Sequence, residues 1–219
     1  RTGTARAPAR AALEPFLFDG AFATEVVVVN GRLSTALSSI DHLPAGVTIE
    51  VSPEAATTVP SASPDALAGA LFAALNTAFC LDVIAIRVAA RVVVDAPIHV
   101  LFVTTPGADR VMAPARLVVT AGERSQLTLV ESYAGISGTG RGFTNAVTDV
   151  VLGESAVVDH YKLQREAADG YHVAAMFVDC ARSATFASQS IVAGGAIVRN
   201  DVFARLGGEG AECTLNGLY

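Results

Sequence analysis

The spacing of apolar and polar residues changes along this chain, and the changes mark its elements. The first apolar run, 26–29, is all valine and reads as a strand, turned by Asn30-Gly31. Leu43-Pro44-Ala45-Gly46 is a second turn, leading into the alternating Val47, Ile49 and Val51. The stretch 52–63 is rich in Pro, Ser, Thr and Ala and reads as a loop. A helix is then predicted, with Ser63 as N-cap, Pro64 at the first helical position and Asp65 complementing the helix dipole. Its apolar face is predicted as Leu67, Leu71, Ala74, Leu75 and Ala78, and it should end near Phe79.

After the helix the period drops to two. Ile84, Ile86 and Val88 alternate with Ala85 and Arg87, and short apolar runs follow at 92–94 and at Ile98, Val100 and Phe102, punctuated by Pro97 and Pro106. Further strands are predicted over 116–120, 125–132, 143–152, 156–163, 173–178, 184–191, 196–204 and 211–215. The segments between them hold no helix-period stretch long enough for a βαβ crossover, which leaves an antiparallel sandwich or a parallel β-helix.

A recurring corner favours the β-helix. Gly122-Glu123 precedes Ser125, Leu127 and Leu129; Gly153-Glu154 precedes Ala156, Val158 and His160; Gly208-Glu209 precedes Ala211, Cys213 and Leu215. Similar turn chemistry each time implies a similar corner each time, as in stacked coils. With about 20–25 residues per coil, 82–219 would make roughly six. The copies are unevenly spaced, and Gly194-Gly195 fits the phrase poorly. The phrase is broken off at Tyr219, so a cut through the stack is expected there.

Composition narrows the function classes. A length of 219 residues allows one large domain or two small ones, hydrophobic residues at 52% against 16% charged let most of it be buried, and no apolar run approaches the length of a membrane helix. The net charge of −6, with Lys162 as the single lysine and no basic patch, argues against a nucleic-acid partner. Three cysteines far apart, Cys80, Cys180 and Cys213, form neither a disulfide framework nor a zinc spacing, so reduced thiols are expected. The basic start, with Arg1, Arg6 and Arg10 before any acid, is read as a frayed tail over 1–15, with a faint likeness to an organellar transit peptide.

Candidate chemistry is sparse. The repeat register carries Leu127 and Val158 inward, and so predicts an inward, inert Cys213; Cys80 and Cys180 lack a His or acid at ligand spacing. His160 shares its register position with Leu129 and Leu215, so it should point inward and bond to the backbone or to Gln164, with Asp159 turned outward. His172 is expected to face solvent near the Ala167–Gly170 turn, and His42 and His99 have no partner at useful spacing. Gly135, Gly138, Gly140 and Gly142 lie in a loop followed by a strand, so no phosphate cradle is predicted, and 135–138 is not a nucleophile elbow. Glu123, Glu154 and Glu209 would form a carboxylate ladder along one edge. A sugar-cleaving β-helix could use such a row, but solubilising corner charge is the preferred reading.

Several phrases also resemble the SufB/SufD family. They are Val28-Val29-Asn30-Gly31-Arg32-Leu33-Ser34 followed by Leu43-Pro44-Ala45-Gly46-Val47, then Leu75-Asn76-Thr77-Ala78-Phe79 and Ala96-Pro97-Ile98-His99-Val100-Leu101-Phe102. Pro114-Ala115-Arg116-Leu117, His160-Tyr161-Lys162-Leu163-Gln164 and Leu215-Asn216-Gly217-Leu218-Tyr219 follow in the family's order, and the SufD branch is the more similar. Val83 departs from the family pattern, which has Gly after Asp82. The resemblance implies a right-handed parallel β-helix, and a non-catalytic scaffold that assembles iron–sulfur clusters with a SufB-like subunit and a SufC-type ABC ATPase, in the cytoplasm or an organellar stroma. It implies that iron or a cluster is handled by the complex, with no cofactor bound by this segment, and no nucleic-acid or membrane partner. No catalytic, cofactor-binding or metal-ligating residue is assigned, because the family's Cys and His for that work fall outside the matching phrases. The expected layout is an N-terminal segment over 1–25, entry strands, loop and helix over 26–81, and a β-helix core over 82–219.

Overall fold

A computed structural model describes residues 8–18, 22–51, 67–105, 110–136 and 142–219, with the first helical turn, 67–70, described for its backbone alone. The strands are Thr24–Val29 (β1), Arg32–Leu33 (β2), Val47–Val51 (β3), Ile84–Val88 (β4), Ile98–Thr104 (β5), Val111–Ala121 (β6), Gln126–Gly135 (β7), Gly142–Leu152 (β8), Val157–Arg165 (β9), Tyr171–Cys180 (β10), Thr185–Val192 (β11), Ile197–Leu206 (β12) and Glu212–Leu218 (β13). One α-helix, Leu67–Phe79 (α1), lies between β3 and β4.

From β4 onward, successive strands go alternately to two sheets, ordered β13-β11-β9-β7-β5-β1-β2 and β12-β10-β8-β6-β4-β3. Each strand pairs in parallel with the strand two places on, so one coil is one strand from each sheet plus two corners. The fold is a parallel β-solenoid of about four turns. Antiparallel pairing is confined to its start, where Asn30 and Gly31, both at positive φ, close the β1–β2 hairpin and β3 pairs with β4.

The coil is longer than the sequence reading had it. Leu117 pairs with Thr148 and Thr148 with Met176, steps of 31 and 28 residues rather than 20–25, so six coils do not form. The coils are long because their strands are, at 7–11 residues each from β5 onward, and the uneven spacing of the phrase has its cause at one corner. Gly122-Glu123-Arg124, Gly153-Glu154-Ser155 and Gly208-Glu209-Gly210 stack, but Ala181-Arg182-Ser183 stands between the last two and carries no glycine-glutamate signature. Arg124 N–H donates to Glu154 O, Ser155 to Arg182 O and Ser183 to Glu209 O, which ties each corner to the next. The third corner residue takes a positive φ each time: Arg124 at 55°, Ser155 at 56°, Ser183 at 55° and Gly210 at 71°.

Side chains alternate between the lumen and the outer faces, as a period of two requires. Ile84, Ile86, Ile98, Val100, Leu117, Val119, Leu127 and Leu129 fill the first coils, and the row Leu127, Val158, Phe186 and Cys213 runs up one side. Each such side chain, fully buried, contributes about 1.5–3 kcal/mol. Residues 92–94 make only an isolated bridge, Val93 to Gln126, and no strand.

The helix ends at Phe79 but packs on a different face from the predicted one. Phe72, Ala73 and Asn76 turn toward the outer face of the β6–β8–β10 sheet, while Leu71 (69% exposed), Ala74 and Ala78 face solvent. Two amide bonds decide this: Asn76 Nδ2 donates to Ala115 O at 2.9 Å and to Asn145 O at 2.8 Å, and Asn145 Nδ2 donates back to Phe72 O at 3.1 Å. The polar anchor overrides an apolar stripe on a helix that is apolar nearly all round. The predicted cap at Ser63, Pro64 and Asp65, and the side chain of Leu67, lie outside the described residues.

Residues 8–18 are packed rather than frayed; 1–7 of the expected tail lie outside the described residues. Two short 3-10 turns place Leu13, fully buried, against Val27, Val29, Leu37, Leu101 and Val103 on the outer face of the other sheet. Arg165 fastens them, donating to Pro15 O and Phe16 O at 2.9 and 3.0 Å.

Candidate functional site: the polar lumen

Above the apolar first coils the lumen becomes polar. The register that stacks Leu127 on Val158 also stacks Leu129, His160, Ser188 and Leu215, and beside them Glu131, Lys162, Ser190 and Gly217. Facing them on the other sheet are Thr144, Thr148, His172 and Asn200. All of these except Ser190, Asn200, Leu215 and Gly217 are buried.

Glu131 is the hub. It accepts from Tyr133 O–H and from Thr148 Oγ1 at 2.9 Å on Oε1, and from His160 Nε2 at 3.0 Å on Oε2, while His160 Nδ1 lies 2.9 Å from Ser188 Oγ. Burial alone would raise the Glu131 carboxyl, but the His160 hydrogen bond and charge, with Lys162 and Tyr133, outweigh it and bring it down to about 2. Burial, then the Glu131 charge, pushes the Tyr133 hydroxyl well above its ordinary value.

A second cluster adjoins the first. Glu166 accepts from Thr144, from Gln164 Nε2 at 3.0 Å and from His172 Nδ1 at 2.8 Å, and these partners bring its carboxyl down against the burial that would raise it. Burial, then the charge of Lys162, lowers His172, so its ring is neutral near pH 7 and Nδ1 carries the proton that Glu166 accepts. The His172 and Tyr133 rings meet edge to face at 4.7 Å and join the two clusters. Lys162 Nζ donates to Asn200 Oδ1 at 2.7 Å and lies over the Tyr133 ring at 5.0 Å.

His160 is inward as predicted, but Glu131 and Ser188 hold it, not the backbone or Gln164. His172 is fully buried, not solvent-facing, because its strand starts two residues earlier than expected and turns it into the lumen. His99 does have partners, supplied by neighbouring coils: Nδ1 lies 3.0 Å from Glu25 Oε1 and Nε2 2.9 Å from Ser132 Oγ. His42 is exposed. Cys213 packs against the core as the register implied, and burial raises its thiol. Burial likewise pushes the Cys80 and Cys180 thiols up to about 11, which leaves them un-ionised and poor nucleophiles near neutral pH.

Glu123, Glu154 and Glu209 share their corner position, but they do not form a bare carboxylate row. Arg182 occupies the corner between Glu154 and Glu209 and pairs with Glu154, while Glu123 faces Arg91 at 3.9 Å and Arg124 at 3.5 Å. Gly135 and Gly142 end and begin strands, and Gly138 and Gly140 lie outside the described residues. Among the described residues no three His, Cys, Asp or Glu side chains group as metal ligands would.

A repeat of alternating strands around a filled lumen is an architecture, and its family comes from comparison. The SUF system FeS cluster assembly, SufBD core domain, matches residues 102–219, more than half of the chain. An iron–sulfur cluster assembly SufBD family protein of Synechocystis sp. is 32% identical over 180 residues, which are 75% of this chain and 39% of that protein. The chain therefore spans less than half the length of that relative. Among the described residues no helix is long and apolar enough to cross a membrane. With the core-domain match lying over the solenoid coils, the chain belongs to the SufBD family of SUF-system iron–sulfur cluster assembly proteins.

Proposed function

We propose that this protein is a non-catalytic scaffold subunit of an iron–sulfur cluster assembly complex of the SufBCD type, closest in role to SufD. The observation that carries the reading is the SufBD core-domain match over 102–219, which lies on the solenoid coils. Glu131 and Glu166 each accept three bonds from neighbours, and the thiols are held un-ionised, which suits a rigid support better than a reacting centre. Its partners are a SufB-like subunit and a SufC-type ABC ATPase, and the complex supports cluster assembly and iron acquisition. Iron or a cluster is cargo of that complex, handled outside this segment, in the cytoplasm or an organellar stroma.

A polysaccharide-acting enzyme built on Glu123, Glu154 and Glu209 is disfavoured by the arginines that pair with two of them. Depletion of the intact parent protein tests the scaffold reading. It should lower the activity of iron–sulfur enzymes in the cell, and Glu123→Gln, Glu154→Gln and Glu209→Gln together should restore it as well as the wild type. Unchanged iron–sulfur enzyme activity on depletion contradicts the reading.

A further inference from the structure

The side chain of Glu25 is only 9% exposed, and its two carboxylate oxygens differ in what holds them. Oε1 lies 3.0 Å from His99 Nδ1, and His99 Nε2 lies 2.9 Å from Ser132 Oγ, with His99 and Ser132 both fully buried. A carboxylate can only accept, so Nδ1 donates, and the histidine and serine fix that oxygen in place. Oε2 receives no hydrogen bond from a described residue. The one cationic group of a described residue within 4.0 Å of it is Arg10 Nη2, at 3.6 Å, on a half-exposed side chain whose Nη1 donates to Leu37 O at 3.2 Å. Glu25 lines a cavity of about 530 Å³, a size that takes a small organic molecule. The apolar lining is Leu17, Phe18 and Phe22, and the charged lining is Arg10, Glu14 and Glu25. The two phenylalanine rings meet edge to face at 5.2 Å and lie against the His99 ring at 5.2 and 5.1 Å, which sets aromatic surface beside the carboxylate. Two carboxylates against one guanidinium leave the lining with negative charge in excess. A nearly buried carboxylate oxygen without a donor is unfavourable, and aromatic faces attract cations. One ligand answers both: a cation with N–H donors on an apolar body.

We propose that this cavity binds a small organic ammonium, with the ammonium on Glu25 Oε2 and the apolar body against Leu17, Phe18 and Phe22. Arg10 holds that place through a contact longer than a hydrogen bond, and gives way to the shorter N–H bonds of the ligand. The exposed Glu14 adds attraction for the cation. His99 and Ser132 are positioning residues, which orient Glu25 and touch no ligand. The site lies beside the packed 8–18 segment, apart from the polar clusters of the lumen, and it does not depend on the scaffold reading.

Calorimetric titration of the protein with 2-phenylethylamine, 2-phenylethanol and 3-phenylpropanoate near neutral pH tests it, since the three share a ring and differ in charge. Saturable single-site binding of the amine is expected, with the alcohol and the carboxylate about tenfold weaker or more. Glu25→Gln should weaken the amine about tenfold or more, and Phe22→Ala about threefold or more. Arg10→Met, which removes the competing cation, should tighten it. No saturable binding of the amine overturns the proposal, as does amine binding that Glu25→Gln leaves unchanged. An alcohol or carboxylate that binds as well as the amine overturns it too. Should Glu25→Gln fail to fold, Arg10→Met and Glu14→Gln carry the test, and an amine affinity that neither variant moves overturns the proposal.

Discussion

Glu131 is the residue on which the lumen depends most. Its carboxylate is shared by Tyr133, Thr148 and His160, so Glu131→Leu strands three buried polar groups at once. A loss of about 3–5 kcal/mol is expected in urea unfolding, against a smaller loss for Glu131→Gln, which keeps some of the bonds. The same groups set the acid limb of stability. Glu131 lies at about 2 in the fold and Glu166 is lowered too, so their stabilisation is full above the unfolded carboxylate range and is lost as pH falls through it toward 2. His172 is lowered below 6.5, so its neutral form also favours the fold and its contribution shrinks as pH drops through that value. All three bind fewer protons folded than unfolded. Asp149, whose carboxyl burial pushes up to about 6, works the other way, so the contribution of these groups is read by difference: acid titration followed by circular dichroism should show a shallower acid limb in Glu131→Gln than in the wild type. This row was within reach of the sequence. The count from the Gly-Glu corner that turned Cys213 inward, taken to Glu131 and Lys162, turns those two inward as well. Their partners across the lumen could not be counted in that way, because Thr148 and Asn200 come from the opposite sheet, whose spacing depends on the second corner. His99 shows the same limit: Glu25 and Ser132 reach it from strands that are neighbours only once the coils stack.

At the scale of elements, the corners and the helix are where local rules and tertiary packing part. Ser155 holds φ at 56° with a side chain that gains nothing from that conformation, whereas a β-carbon on Gly153 would sit 2.8 Å from the Glu123 nitrogen. Ser155→Gly should stabilise by about 0.5–1 kcal/mol and Gly153→Ala destabilise by about 1–3 kcal/mol, read as opposite shifts in thermal midpoint. The strands themselves were legible, because a period of two survives burial on one face or both. The corner at 181–183 was not, since Ala181 and Arg182 stand where the other corners carry glycine and glutamate. Missing it made two coils look like one irregular interval. The helix was legible in extent but not in orientation. Asn76→Ala should cost about 2–3 kcal/mol by removing two buried hydrogen bonds to the sheet, while Leu71→Ser should change stability by less than about 0.5 kcal/mol. A periodic apolar stripe would give the reverse order.

For the whole molecule, the solenoid explains how a chain with few aromatics and one lysine builds a rigid body. Each coil buries its side chains against the coils on either side, so stability accumulates along the stack rather than around one centre. The outer faces stay available for other uses, as the helix on one and the 8–18 segment on the other already show. That division, a lumen for stability and faces for contact, is what a scaffold requires, and it is why the assembly role is tested best through partners. Affinity capture of the intact parent protein at low salt, with mass spectrometry of what accompanies it, is the most direct measurement. The account predicts that an ABC-type ATPase and a SufB-like subunit are both recovered; clean absence of both would contradict it.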